Sequence, residues 1–390
     1  MSTGDHAPLA PSSAHIWGAA EGCRASVRMQ QAYPQLDDSP EAMEGTAAHW
    51  YVSEALQGRP VAVGAVAPNG YPVNAEMVDA GESFIRDVQD TWRASLAEDP
   101  DTRCYIEQRV TMANSVHMEN HGTPDVRMVL PNARRLHVWD YKYGHRYVSP
   151  RGNLQLCDYA IGGLEAEGCF VTAPFGTPQS FQDWRISLTI VQPRNYAPEG
   201  PVREWYLSGA QLLEKYVPML REAAREAMEP GAPMRTGPHC VDCSAAHACP
   251  ALQRTAAHAI DISLRAQPVD LPPHAVGLEL RMLTDAIKRL EARKTGLEEH
   301  ALGLIRGGTI VPFFTVEPTT GRERWSLPAK QVILMGANLG INLAQEATLT
   351  PKQARAAGIP EVAMEGMTET PRGVLCLKRV EDDAASLAFG

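Results

Sequence analysis

Three thiols fall within ten residues of this chain, in the run His239-Cys240-Val241-Asp242-Cys243-Ser244-Ala245-Ala246-His247-Ala248-Cys249-Pro250. This C-x2-C-x5-C spacing restricts the fold more than any other feature. Closely spaced thiolates in a reducing compartment hold zinc or an iron-sulfur cluster, and three of them leave one coordination position to be closed from elsewhere. If His247 or His239 closes it, the site is structural zinc. If the distant Cys23 does, a four-thiolate cage staples the N-terminal helix to the end of the core. Unligated thiols are the plain alternative. The other four cysteines, Cys104, Cys157, Cys169 and Cys376, stand alone in apolar stretches and read as small buried hydrophobes.

The expected compartment is the cytosol, where thiols stay reduced. Met1 to Pro11 is polar with no apolar centre, unlike a signal or transit peptide, and no run approaches the ~20 apolar residues of a membrane span. A chain of 390 residues makes two or three units at one per ~150 and can bury a core without disulfides. Its 36 Lys and Arg against 46 Asp and Glu leave a net charge of −10, which argues against coating nucleic acid by bulk electrostatics and leaves a local basic groove open.

Pro11-Ser12-Ser13 before Ala14-His15-Ile16-Trp17 reads as a capped helix start. Helical patterns follow from near Glu41 to Leu56, with Met43, Ala47 and Trp50 on one face, and from Asn74 to Leu96. Arg103 to Thr111, Asp125 to Leu130 and Leu136 to Tyr141 are rich in β-formers, with Pro131 to Arg135 as the turn between the last two. Ser149-Pro150 offers an N-cap and first-turn proline for a helix to Leu164, and strand character resumes at Arg185 to Gln192 and Val202 to Leu207. This order lacks regular βαβ alternation and predicts an α/β fold, a mixed core sheet flanked by helices. Pro174 to Gln182 and Pro193 to Pro201 read as surface loops, and Gln211 to Met228 as a helix. Past Pro268 a long amphipathic helix, Leu278 to Ile305, precedes Thr309–Val316 and Glu323–Leu327, which flank a Thr319-Thr320-Gly321 turn in hairpin fashion. The expected domains are 1–255 and a C-terminal extension, 256–390.

Gly122-Thr123-Pro124-Asp125 and Asp140-Tyr141-Lys142 carry the chemistry. An Asp opening one strand and an Asp-x-Lys closing its antiparallel neighbour meet at one end of a hairpin, and the period of two puts Asp140 and Lys142 on one face. Two hard oxygen ligands there suit Mg²⁺ or Mn²⁺, with the lysine orienting a water. A strand ending in alternating charges is the bland alternative. His49, four residues after Gly45, is a candidate nitrogen ligand and Glu107 a candidate extra carboxylate. Gln155 and Tyr159 share a face of the following helix. Six basic residues from Arg127 to Arg151 (Arg127, Arg134, Arg135, Lys142, Arg146, Arg151) against the lone Asp140 give +5 locally, as a phosphate-tracking surface requires.

Gly45-x3-His49, Gly122-x2-Asp125, Asp140-x-Lys142 and Gln155-x3-Tyr159 occur in the order found in RecB-type nucleases of the PD-(D/E)xK superfamily, which the chain resembles over residues 10 to 255. Cys23 with Cys240, Cys243 and Cys249 resembles the split iron-sulfur arrangement of AddB-like and CRISPR-associated exonucleases, with Arg24 where proline often follows the first cysteine. Trp17, Asn153-Leu154-Gln155-Leu156, Gln192-Pro193-Arg194 and His239-Cys240 resemble a phage and prophage branch, and Trp325 and Leu349-Thr350-Pro351 extend the likeness weakly.

The resemblance implies a restriction-endonuclease-like fold in which His49, Asp125, Asp140 and the Tyr141 carbonyl bind the metal, Lys142 is the catalytic lysine, and Gln155 and Tyr159 support the site. It favours 4Fe-4S over Zn²⁺ at the four cysteines. The expected activity is a Mg²⁺- or Mn²⁺-dependent DNA exonuclease of phage recombination, with Arg127, Arg146 and Arg151 holding DNA and a recombination annealing protein as a possible partner. The alternatives are a nuclease-fold module that grips DNA or a partner without cutting, and a structural zinc protein.

Overall fold

The computed structural model describes residues 7–35, 39–172, 180–195, 197–264, 273–320, 323–343, 351–356, 358–369 and 372–379. Most of the expected loop Pro174–Gln182 lies outside these residues, as do Pro268, Gly321 and Leu349-Thr350.

A five-stranded mixed sheet forms the centre, with strands β1 (Arg103–Ile106), β4 (Val126–Leu130), β5 (Arg135–Tyr141), β6 (Arg185–Val191) and β7 (Val202–Ser208) in that spatial order. The short β2 (Val110–Thr111) and β3 (His121–Gly122) pair with each other beside it. Only β5 and β6 run parallel, because the helix α5 (Leu154–Ala166) crosses between them; the other neighbours are antiparallel.

Strand alternation sends the two faces of the sheet into two cores. Val129, Leu136, Val138, Ile186 and Leu188 face α5, together with α1 (Ala14–Trp17) and the helical run from Gly209 to Met228. That run is α6 (Gly209–Gln211), a wide π turn (Leu212–Tyr216) and α7 (Val217–Met228); the turn ends two residues before Pro218, which supplies no N–H to the ladder. Met128, Leu130, Trp139 and Tyr141 face α3 (Pro40–Leu56) and α4 (Ala75–Glu98). Between α1 and α3 lies α2 (Ser26–Ala32). Ser39 and Asn74 cap α3 and α4 by accepting from Ala42 N–H and Met77 N–H. Ala47 is buried and Met43 and Trp50 half-buried, while Ala48, Tyr51 and Val52 widen the buried face of α3.

Several expectations need correction. Ser149-Pro150 does not start α5; Asn153 caps it, accepting from Leu156 N–H at 3.1 Å. Strand β1 stops at Ile106, and Glu107 next to it has φ 49, a left-handed conformation that ends the strand while its N–H still donates to the Asp125 carbonyl at 3.0 Å. Beyond α8 (Pro250–Leu264) and α9 (Pro273–Arg306), the expected hairpin is absent: β8 (Phe314–Thr320) pairs with β11 (Arg372–Arg379), and β9 (Arg324–Trp325) with β10 (Thr368–Glu369). A local turn signal there yields to pairing with distant strands. The expected boundary at 255 falls inside α8, and one core cluster joins Cys240, Ala246 and Leu252 to Ala292 of α9. Helix α10 (Ala329–Asn338) also returns to α4, with Ala329 N–H donating to Asp79 Oδ2 at 2.6 Å. Among the described residues no helix is long and apolar enough to cross a membrane.

Candidate functional site

At the C-terminal end of β5 the chain brings together residues from α3, the end of β1, the start of β4, β5 itself and α5. His49, on α3, lies with Nδ1 2.9 Å from Asp125 Oδ1, and Tyr141 N–H donates to Asp125 Oδ2 at 2.6 Å. His49, Glu107 and Asp125 each offer a ligand atom within 4.8 Å of the others, a group able to hold a metal ion. Asp140 and Lys142 sit beside it on the α5 side of the strand. Lys142 Nζ is 2.9 Å from Asp140 Oδ2 and 3.1 Å from Gln155 Oε1, and Gln155 Nε2 donates to Asp140 Oδ1 at 2.9 Å. Tyr159, one turn further along α5, is buried and hydrogen-bonded to Gln155. Gly122 makes room for it, because a Cβ there would lie 3.0 Å from the Tyr159 ring and 2.8 Å from Pro11. At Gly45, one turn before His49, a Cβ would meet nothing within 4 Å, so its open face borders the site.

These groups set one another's protonation. Burial disfavours charge on His49, but Asp125 and Asp140 outweigh it and hold the imidazole above its ordinary value. Desolvation opposes charge on the half-buried Asp125 too, yet His49, the Tyr141 amide and Lys142 keep it below the usual carboxylate range. Burial raises Asp140 against the pull of Lys142, and Lys142 in turn is raised by Asp140 despite its own burial. Glu107 is pushed up to about 7 by burial and then by Asp125. Two carboxylates and one imidazole around one point, with Asp140 beside them, make a donor set that fits a hard divalent cation. Of the expected ligands, His49 and Asp125 form this trio with Glu107, the expected extra carboxylate, while Asp140 beside them is paired with Lys142 and Gln155. The Tyr141 side chain belongs to the α3/α4 core, its ring 5.4 Å from that of His49.

The sequence-expected basic surface is largely neutralised. Arg127 is 3% exposed: its place in β4 turns it towards α5, where it pairs with Glu167 at 3.1 Å, donates to Gln108 and lies 3.7 Å over the Tyr105 ring. Arg127 therefore does not stand on the expected basic surface. Arg134 pairs with Asp183, Arg135 with Glu98 and Arg146 with Asp242. Arg146 and Arg151 are exposed, the latter with its N–H bonded to Ser149 Oγ at 3.1 Å.

Cys23, Cys240, Cys243 and Cys249 line one small cavity with Ile16, Met29 and Leu252 and without a carboxylate. Backbone amides point at the sulfurs: Arg235 N–H to Cys23 at 3.5 Å, Gly237 N–H to Cys240 at 3.3 Å, and Ala245 N–H to Cys243. Without a metal, burial and the neighbouring thiols push Cys243 up to about 12. Four thiols with N–H donors in an apolar pocket fit a soft metal centre. Cys104 is half-buried, Cys157 and Cys169 are buried, and Cys376 lies on β11; the described cysteines form no disulfide.

Sequence reasoning missed three supporting residues. Arg24 is buried and donates from Nη1 to the Ala19 carbonyl at 2.7 Å and to that of Trp17, and from Nε to Glu226 at 2.9 Å, fixing the turn that carries Cys23. Asp242, between two cysteines, takes both Arg146 (2.8 and 3.0 Å) and His15 (3.0 Å), which holds its carboxyl down at about 2 against its burial. Gln192 donates to the Gly144 and Arg146 carbonyls, both at 2.7 Å, and accepts from Val148 N–H and Arg203, pinning the loop after Lys142. Only the Gln192-Pro193-Arg194 run carried a signal in the sequence.

The chain belongs to the family described as a protein of unknown function (DUF2800), whose profile matches residues 6–341.

Proposed function

We propose that this chain is a metal-dependent deoxyribonuclease with a restriction-endonuclease-like core, acting as an exonuclease with Mg²⁺ or Mn²⁺. The observation that carries the reading is the convergence of His49, Glu107, Asp125, Asp140 and Lys142, drawn from separate elements, at one end of β5. A bound cation supplies Lewis acidity toward a phosphate oxygen and lowers the pKa of a bound water. His49, Glu107 and Asp125 would hold it. Lys142, kept charged by Asp140 and oriented by Gln155, would position the attacking water and balance negative charge as it builds on the phosphate. With Arg127 internal, strand binding falls to Arg146, Arg151 and the cation.

End-labelled single- and double-stranded DNA incubated with the purified chain and Mn²⁺ tests this. Lys142→Ala should abolish degradation while leaving the far-UV spectrum unchanged, and undiminished cutting by that variant sinks the assignment. DNA retained by the wild-type chain but never cut would point instead to a binding module.

The same reading takes the four cysteines as ligands of a structural 4Fe-4S cluster, supported by their shared cavity and by the amides aimed at the sulfurs. Anaerobic purification should give a brown protein that loses iron in Cys23→Ser; a colourless protein with one zinc would establish the zinc alternative.

A further inference from the structure

Helix α9 has two apolar faces where a surface helix needs one. The first packs on the cysteine loops: Ala292 is buried, a Cβ on Gly296 would lie 2.9 Å from the Ala246 Cβ, and the His300 and His247 rings stack at 4.5 Å. The second face is open except at Leu290, which is half-buried. Leu280 is 60% exposed, Leu283 50%, Ile287 52%, Leu297 44% and Leu304 37%.

Their spacing is specific. Leu283, Leu290, Leu297 and Leu304 recur every seven residues, and Leu280, Ile287, Lys294 and Ala301 stand three residues before each of them. Alternating steps of three and four average 3.5, the period that keeps one seam of a helix turned toward a second helix; a single globular contact follows 3.6. In heptad terms the d line is all leucine and the a line is Leu280, Ile287, Lys294 and Ala301. Leucine at d with a β-branched residue at a, as at Ile287 alone on this a line, favours two strands, and a lone lysine at a fixes the register.

We infer that α9 is a zipper through which two copies of this chain associate. The seam requires a partner helix with the same heptad pattern, which a second copy supplies across a two-fold axis. Residues 280 to 304 give a seam of roughly 36 Å at 1.5 Å per residue, enough for more than three heptads. At roughly 10 Å wide, its flat footprint on the two copies is roughly 700 Å², and side-chain relief brings it toward the ~1,000 Å² of a specific interface. The one cation in the seam brings its own counter-charge, since Lys294 Nζ lies 3.0 Å from Glu298 Oε1 of the same helix.

The test is sedimentation equilibrium on the full chain from about 1 to about 100 μM. The expected species is a dimer of the 42.5 kDa chain. Leu283→Glu with Leu297→Glu, both at exposed positions, should weaken it by at least ~100-fold with helicity by circular dichroism unchanged. Lys294→Leu should tighten it by about tenfold. A wild-type chain that stays monomeric at the highest concentration, an assembly larger than a dimer, or a dimer indifferent to the paired glutamates overturns the inference.

Discussion

Asp158→Asn removes one buried acid whose pH signature follows from its surroundings. Asp158 is fully buried on α5; Oδ2 accepts from Asn120 Nδ2 at 2.8 Å, and Oδ1 has no partner. Burial, offset in part by Asn120 and reinforced by Glu165, pushes the carboxyl up to about 8 from 3.8. The folded chain therefore keeps a proton that the unfolded chain releases near 3.8, and stability falls as pH rises between those values. At 1.36 kcal/mol per unit the loss is about 2 kcal/mol by pH 5 and about 4 kcal/mol by pH 7, levelling off above pH ~8. Asparagine does not titrate. Its surplus N–H donors shift the variant by the same amount at every pH, so the difference between the two proteins isolates the proton. Urea unfolding at pH 5, 6, 7 and 8, followed by tryptophan fluorescence, should show the gap moving by about 3 kcal/mol in the variant's favour from pH 5 to pH 7. A gap that stays constant within about 0.5 kcal/mol refutes a protonated Asp158 at neutral pH.

Gly122→Ala should destabilise the chain by about 1–3 kcal/mol, because its Cβ would push into Pro11 and the Tyr159 ring; an unchanged urea midpoint would show that the N-terminal segment yields freely. Arg24→Ala leaves the carbonyls of Trp17 and Ala19 without their donor, the Glu226 carboxylate being partly exposed to water, and should cost about 1–3 kcal/mol. The iron or zinc content of the same sample should fall with it, while full metal occupancy would separate Arg24 from the Cys23 turn.

What the sequence disclosed was local. The helical pattern from near Glu41, Asn74 before Ala75, and the β-formers from Leu136 to Tyr141 each act within a few residues, and α3, α4 and β5 form where those signals lie. The same locality misplaced the start of α5: Ser149-Pro150 has the composition of a cap, but Asn153 makes the bond, and its own Nδ2 donates back to the Ser149 carbonyl at 3.3 Å. Charge counting failed for a related reason. The acids that neutralise Arg127, Arg134, Arg135 and Arg146 are Glu167, Asp183, Glu98 and Asp242, all outside the window in which the excess was counted. Asp125, Asp140 and Lys142 were legible because one hairpin brings them together. Glu107 was legible too, as a candidate extra carboxylate; what no propensity announces is the left-handed backbone at that position, with which it joins His49 and Asp125.

The four thiols that share a cavity come from opposite ends of the α/β core, Cys23 before its first strand and Cys240 to Cys249 after its last. A centre bonded to all four would close the chain into a ring of roughly 220 residues, and such a cross-link removes on the order of 5 kcal/mol of freedom from the unfolded state. All five central strands lie within that ring, so none could peel away from a free end while the bonds held. The lifetime of the folded chain would then be a matter of kinetics, governed by how fast oxidation or chelation opens the ring. Two molecules of identical sequence and identical contacts would age at different rates according to whether the ring was ever closed.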